Sequence, residues 1–230
     1  MSKILKLELK KFNLIRKIWG VIIANLVIMF FLITLIITSR IDDELAMENY
    51  TIAFQMVSTL VGATFIIFAS VLHAKTVIEE YKNKTITLLF MYPISRKKLI
   101  FAKLFLVVVF TFLSIVLSDI FQEVILYILN MKYQFIHDQL TRPMIYHNLL
   151  NVVMYAFAAA GMALIPLFFG MLKKSVPATI VTSLIIVSIV YSNNGGMSLL
   201  NIIIIPIILA IIGIFIAFFT FRNIEHIDVA

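Results

Sequence analysis

The stretch Ile18–Ser39 reads IWGVIIANLVIMFFLITLIITS, 22 residues without a charged side chain. A helix that crosses the ~30 Å hydrocarbon core of a bilayer needs about 20 mostly apolar residues. The stretch therefore predicts a membrane-spanning helix. Because no small-residue cleavage pattern follows Trp19, we expect this span to be retained and not removed as a signal peptide.

Five further stretches have a similar length and apolar character. The six predicted spans cover Ile18–Ser39, Thr51–Leu72, Leu104–Leu129, His147–Phe169, Val176–Tyr191 and Leu199–Phe221. We predict an all-α, polytopic membrane protein with six transmembrane helices, in which residues 1–230 form a single permease domain. No tandem repeat or low-complexity linker divides the chain.

The overall composition agrees with this fold class. Hydrophobic residues make up 62% of the chain and charged residues only 13%, about half the charge of a soluble domain. This excludes a soluble enzyme, a disordered tail and an ordinary nucleic-acid-binding domain. The absence of cysteine excludes disulfides, thiolate metal sites and a cysteine nucleophile.

The distribution of basic residues predicts the orientation. With the N-terminus in the cytoplasm, the segments on the inner side hold 16 of the 19 Lys and Arg residues and the outer segments hold 3. Cytoplasmic loops are enriched in Lys and Arg, so both termini are expected in the cytoplasm. The same bias explains the net charge of +7 without nucleic acid as a partner.

Residues 2–17 precede the first span and have one basic and one apolar face on a helical wheel. This pattern predicts an amphipathic helix that lies in the inner interface, with its lysines towards anionic lipid. The alternative is a basic flank that only orients the first span.

The segment Lys75–Lys103 is the longest cytoplasmic one and is not a plain polar loop. An apolar stretch at Ile86–Met91 needs something to bury against. Pro93 stops a helix, and Arg96 opens the third span. We expect a short helix, a proline turn and a re-entry helix, an arrangement that a cytosolic partner could push.

The same segment resembles the permeases of ABC-2-type exporters, the partners of ATP-binding cassette subunits. The resemblance rests on EEYKNKTITLL at Glu79–Leu89, PISR at Pro93–Arg96, and Lys103. One departure is Lys84, where the family usually has glycine. Six spans, their orientation and the N-terminal helix extend the resemblance to the whole chain. The alternative is a basic, proline-punctuated loop.

The resemblance implies that this segment is a coupling helix that docks on an ATP-binding cassette subunit. The residues it assigns to this contact are Glu79, Glu80, Thr85, Leu88, Leu89, Phe90, Pro93 and Arg96. None of the seven glycines directly precedes a Lys-Ser/Thr pair, so the sequence shows no P-loop and the chain is not expected to be an enzyme. It should hold no catalytic, cofactor or metal site, and ATP and Mg²⁺ should bind the partner.

The resemblance also implies two permease copies in a complex with two ATPases, as a homodimer or heterodimer. The expected location is the bacterial cytoplasmic membrane, with lipid around the spans.

Two acids stand in the third span, Asp119 and Glu123, on one helical face. Carboxylates in membranes are costly and usually face a cavity or a partner. One interpretation is an acidic lining of the substrate path at the outer mouth, suited to cationic cargo. The other is that the span ends near Leu117 and both acids are in water.

The fourth span is rich in small residues around Gly161 and contains Pro166. Small residues allow helices to approach closely, and proline should kink the helix. We interpret this pattern as helix packing and not as a ligand site.

The short final outer loop, Ser192–Ser198, leaves no room for re-entrant helices. It favours a small branch that resembles bacteriocin, bacitracin-type and phenol-soluble-modulin exporters. The predicted function is export of a peptide or amphiphilic toxin or antimicrobial, for secretion or self-protection. Export of small ions or drugs is the alternative. An intramembrane enzyme is disfavoured because all four histidines lie outside span centres, and a channel because Glu79–Lys103 is structured for a partner.

Overall fold

The structure, a computed structural model, describes residues 2–41, 49–82, 96–191, 193–194, 197–198 and 204–222. These residues are helical apart from the loops and two short strands, β1 (Asn193–Asn194) and β2 (Met197–Ser198), which pair antiparallel. The all-α prediction is confirmed.

The helices follow the apolar stretches of the sequence. They are α1 (Ser2–Phe12), α2 (Leu14–Ile41), α3 (Tyr50–His73), a π-helical turn (Ala74–Ile78), α4 (Glu79–Lys82), α5 (Arg96–Tyr133), α6 (Arg142–Met162), α7 (Ile165–Lys173), α8 (Val176–Val190) and α9 (Ile204–Arg222).

Four helical runs are long and apolar enough to cross a membrane. They are Leu14–Thr38, Tyr50–Ile78, Lys97–Tyr133 and Arg142–Lys173. Two shorter apolar helices, α8 and α9, coincide with the predicted fifth and sixth spans. The first four predicted spans therefore correspond to span-length helical runs, and the count of six remains a prediction.

The N-terminal helix is shorter than predicted. α1 ends at Phe12, and Leu14 already belongs to α2. Between them Asn13 has a φ of 48°, a left-handed conformation that asparagine tolerates better than most residues. The boundary at residue 17 was wrong because this break depends on one backbone angle.

The second span does not end at Leu72. The helix continues through His73 and the π-helical turn into α4, which ends at Lys82. Ala74, Val77 and Ile78 in this turn are buried, so it packs like the rest of the span. A π-helical turn inside an α-helix is uncommon and re-aims the residues that follow it.

The helix of the third span is longer than its predicted span, and the helix of the fourth span is interrupted. α5 runs to Tyr133 and Asp119 is 1% exposed, so the interpretation that places Asp119 in water is wrong, while the point at which the third span ends stays a prediction. The fourth span is interrupted between Met162 and Ile165, and Pro166 lies in the first turn of α7. Proline is favoured in the first helical turn, where its missing N–H costs nothing.

The chain divides into two compact units. The first comprises Met1–Leu14, Phe65–Phe112 and Phe157–Ala230, and the second comprises Ile15–Thr64 and Leu113–Ala156. In the first unit, the π-helical turn, α5, α7 and α9 share one apolar core. Its buried members are Ala74, Val77, Ile78, Ile100, Leu104, Leu164, Leu167 and Ala217. Residues 1–230 were predicted to form one permease domain in the sense of one functional unit. The division into compact units does not test this, and it stays a prediction.

Small residues bring two helices of the first unit into close contact. A Cβ placed on Gly161 of α6 would lie 2.7 Å from the Cβ of Ala210 in α9. The alanines around Gly161 are buried. The interpretation of these small residues as packing is confirmed.

Candidate functional site

The candidate coupling segment is framed by α4 and α5. Of its assigned residues, Glu79 and Glu80 begin α4 and Arg96 begins α5. Glu79 and Glu80 are half-buried. The remaining assigned residues, Thr85, Leu88, Leu89, Phe90 and Pro93, lie outside the described residues.

An ion-pair cluster in the first unit joins the two helices that flank this segment. The ammonium Nζ of Lys103 in α5 lies 2.9 Å from the Oε1 of Glu80 in α4 and 3.1 Å from the Oε2 of Glu8 in α1. Lys11 of α1 reaches the same Glu80 oxygen at 2.6 Å. We call Glu8, Lys11, Glu80 and Lys103 the ion-pair cluster.

The centre of the ion-pair cluster is buried. The side chain of Lys103 is 3% exposed and those of Glu8 and Glu80 are 10% and 11% exposed. A buried ammonium is costly unless it is paired and hydrogen-bonded. Two carboxylates supply that pairing, and their charge-assisted hydrogen bonds are the stronger kind.

The ion-pair cluster holds the end of α4 next to the beginning of α5. Glu80 and Lys103 stand on either side of residues 83–95, so their ion pair closes the base of that segment. α1 is tied to the same base through Glu8 and Lys11, and Phe12 of α1 packs on Leu72 and Val107.

Sequence reasoning had singled out Glu80 and Lys103 but had missed Glu8. Glu8 is an acid on an otherwise basic helix, which is the signal that could have identified it.

A second group of polar residues occupies two neighbouring faces of α5 in the second unit. On the first face, the amide of Gln122 donates to the backbone oxygen of Asn25 in α2 at 2.8 Å and to its Oδ1 at 3.2 Å. The amide of Asn25 donates to the hydroxyl of Ser118 at 2.8 Å. Polar side chains that hydrogen-bond across helices stabilise helix pairs in membranes. This face is therefore structural.

The second face carries the two predicted acids. Glu123 is half-buried and its Oε1 accepts a hydrogen bond of 2.7 Å from the amide of Asn148 in α6. Asp119 is 1% exposed. The Ser58 hydroxyl of α3 lies near the Asp119 carboxyl, yet neither carboxyl oxygen has a partner with hydrogen-bond geometry among the described residues.

Two cavities adjoin this acidic face. One of about 510 Å³ is lined by Glu123, Asn148 and mostly apolar side chains. The other, of about 330 Å³, is lined by more polar side chains that include Ser58, His147 and Asn151. Phe54 and Asn148 line both. The volumes fall in the range of small-molecule sites.

No group of three or more His, Asp or Glu side chains within the described ranges could hold a metal ion. Among the residues that the structure describes, no lysine or arginine lines either cavity. The chemistry that these cavities offer is hydrogen bonding, apolar contact and negative charge.

Similarity to known proteins extends over most of the chain. Residues 4–192 match the profile of a family described as ABC-2 family transporter protein. A Bacillus subtilis (strain 168) protein titled "Uncharacterized protein YcbO" is 40% identical over 225 residues, which are 98% of this chain and 99% of that protein. No solved structure shows a significant match.

Proposed function

This chain belongs to the ABC-2 family of transporter membrane proteins, and we propose that it forms the translocation path of an ATP-driven exporter for peptides or peptide-like amphiphiles. Family membership makes it the permease subunit of an ABC transporter, a membrane component that works with a separate ATP-binding subunit. The family match over residues 4–192 is the observation that supports the permease part of the proposal, while the export direction and the peptide cargo are proposed from the sequence resemblance.

The proposed contact with the ATPase is the coupling segment, residues 79–96. The ion-pair cluster supports this because it ties both ends of the segment to α1 and α5. The π-helical turn just before Glu79 packs against α7 and α9. A push on the segment would therefore be transmitted to several membrane helices.

The proposed complex contains two permease copies, identical or related. α2 supports this, because only 17% of its most apolar stretch is buried within the chain. The surface of Ile18–Ser39 carries no charge and is suited to lipid or to a second copy. The proposed location is a bacterial cytoplasmic membrane, with both termini in the cytoplasm.

The small branch of bacteriocin, bacitracin-type and phenol-soluble-modulin exporters is proposed from the short last loop. The role is secretion of a toxin or antimicrobial, or protection from one. Export of drugs is the alternative, and the drug-sized cavities of the second unit favour it.

The test is affinity purification of the full chain from its native host, followed by ATPase and export assays. We expect an ATP-binding cassette protein to co-purify and the complex, not the isolated chain, to hydrolyse ATP. The double substitution Leu89→Ala and Phe90→Ala should reduce co-purification or uncouple hydrolysis from export, because apolar interface anchors often contribute about 2 kcal/mol each.

Lys132→Ala is the matched control, since Lys132 is exposed near the end of α5. The double variant should still insert into membranes, because neither residue belongs to a span. Normal assembly and export in the double variant would show that residues 83–95 are an ordinary loop.

A further inference from the structure

We propose that the larger cavity of the second unit is a binding site for the ammonium group of a cationic amphiphile, with Glu123 as the residue that pairs with the cation. This inference deepens the proposed export function by naming the chemical class of the cargo. It depends on contacts within the second unit alone.

The first step concerns charge. Glu123 lines the cavity of about 510 Å³, and Asp119 lies one helical turn before it on the same face of α5. Among the described residues, neither acid forms an ion pair, whereas Glu8 and Glu80 share Lys103. Glu123 is the acid that faces the cavity, with Asp119 buried behind it, and the ligand that suits a carboxylate in this position is a cation.

The second step concerns the hydrogen-bond partners of the polar side chains on α5. Asn148 donates to one oxygen of Glu123 and so fixes the carboxyl at the cavity wall. The other oxygen remains able to accept a hydrogen bond from a ligand. In contrast, the neighbouring Ser118 and Gln122 are paired with Asn25 of α2, so that face of the helix is already used.

The third step selects an organic cation over a metal ion. The described residues contain no group of three acids or histidines that could ligate a metal. The remaining wall of the cavity is apolar and aromatic, with Phe54, Tyr127, Ile120 and Leu149. Aromatic faces attract ammonium groups, and apolar walls accommodate an attached hydrocarbon.

The probe is decylammonium, compared with decanol and decyl sulfate of the same chain length. The full chain is reconstituted in nanodiscs of zwitterionic lipid, and binding is measured by titration calorimetry after subtraction of empty nanodiscs. We expect saturable binding of decylammonium and an increase in Tm, since a ligand of the folded state stabilises it. Decanol should bind weakly and decyl sulfate should not bind.

Glu123→Gln should weaken decylammonium binding about tenfold or more, the size of effect that follows the loss of a partly buried charge partner. Glutamine keeps an acceptor for Asn148, so folding should persist. Glu123→Asp, which keeps the charge, should retain measurable binding. Asp138→Asn is the control, because Asp138 is an exposed acid of the same unit that lines neither cavity.

Equal binding of decanol and decylammonium would overturn the proposal, because it would show apolar partitioning alone. Unchanged affinity in Glu123→Gln, or loss of binding in Asp138→Asn to the same extent, would also overturn it. Displacement of the amine by millimolar calcium would assign the site to an inorganic cation instead. Because binding is measured without the ATPase, its outcome is independent of whether that subunit co-purifies.

Discussion

At the scale of single residues, Lys103 determines the stability of the first unit more than any of its exposed neighbours. Lys103→Ala would leave Glu8 and Glu80 close together in a largely buried site without their shared cation. Removing one partner of a buried ion pair costs about 3 kcal/mol or more. We therefore expect a lower Tm for the purified chain by circular dichroism.

The controls separate the loss of charge from the loss of a long side chain. Lys98→Ala removes an exposed lysine one turn and a half earlier on α5 and should change Tm little. Adding Glu8→Gln to Lys103→Ala should recover part of the stability, because the charge of Glu8 that Lys103 compensated is gone, while Glu80 keeps its ion pair with Lys11. Equal effects of Lys98→Ala and Lys103→Ala would contradict the assignment.

The residues of the ion-pair cluster also show how far a sequence predicts a site. Glu80 and Lys103 were found because they belong to a short motif that resembles a family pattern. Glu8 and Lys11 lie about 70 residues away from Glu80 along the chain. Their contact depends on the angle at which α1 meets α3 and α5, and neither composition nor periodicity encodes that angle.

At the scale of helices, α2 and α5 are held together by amides. Asn25→Leu would remove the hydrogen bond to Ser118 and one of the two from Gln122, and it would replace the amide by an apolar side chain. Interhelical hydrogen bonds in membranes contribute about 0.6 kcal/mol each on average. We expect a loss of about 1 kcal/mol in the free energy of unfolding, measured in mixed micelles.

Thr34→Val is the matched control for Asn25→Leu. The Thr34 hydroxyl bonds only to the carbonyl of Phe30 in its own helix, so its removal should not affect the pairing of α2 with α5. A larger effect of Thr34→Val than of Asn25→Leu would show that the amides do not stabilise this helix pair.

Packing of α6 on α9 depends on the absence of a side chain at Gly161. In Gly161→Ala, the new Cβ would lie 2.7 Å from the Ala210 Cβ and 2.9 Å from its Cα. Because a backbone atom is involved, the helices must separate, and overpacking of this kind costs about 1–3 kcal/mol. We expect a lower Tm in Gly161→Ala.

Two further variants test whether this effect comes from the contact. Ala210→Gly in the Gly161→Ala background should recover part of the Tm, because the nearest of the clashing atoms is removed. Phe157→Leu on the exposed side of the same helix should have little effect. Failure of Ala210→Gly to rescue would place the cause outside this helix pair.

Helix existence was easier to predict than helix limits. Apolar stretches of about 20 residues located the first four spans because the hydrocarbon core imposes that length. The helix limits differ from the predicted span limits where the helix is buried within the protein. Residues 74–82 continue α3, and the π-helical turn among them is buried in the core of the first unit. α5 likewise continues past Asp119, whose side chain is buried.

At the scale of the whole molecule, the distribution of basic residues indicates that the fifth and sixth predicted spans cross the membrane, whereas the length of α8 does not require a crossing. α8 has 15 residues and would be about 22 Å long at 1.5 Å per residue, less than the ~30 Å hydrocarbon core. Lys173 and Lys174 precede α8 and Arg222 ends α9, so the basic residues favour two crossings. A short pair of helices that returns to the same side would agree with the lengths alone.

Cysteine labelling distinguishes these topologies, since the chain has no native cysteine. We expect Leu45→Cys and Asn194→Cys to react with a membrane-impermeant maleimide from outside the cell, and Lys82→Cys to react only after permeabilisation. The reason is that 16 of 19 basic residues then lie in the cytoplasm. Position 194 is decisive for the last two spans, because a non-crossing α8 and α9 would leave it accessible only from the cytoplasm. Labelling of position 45 from the cytoplasm alone would reverse the whole orientation.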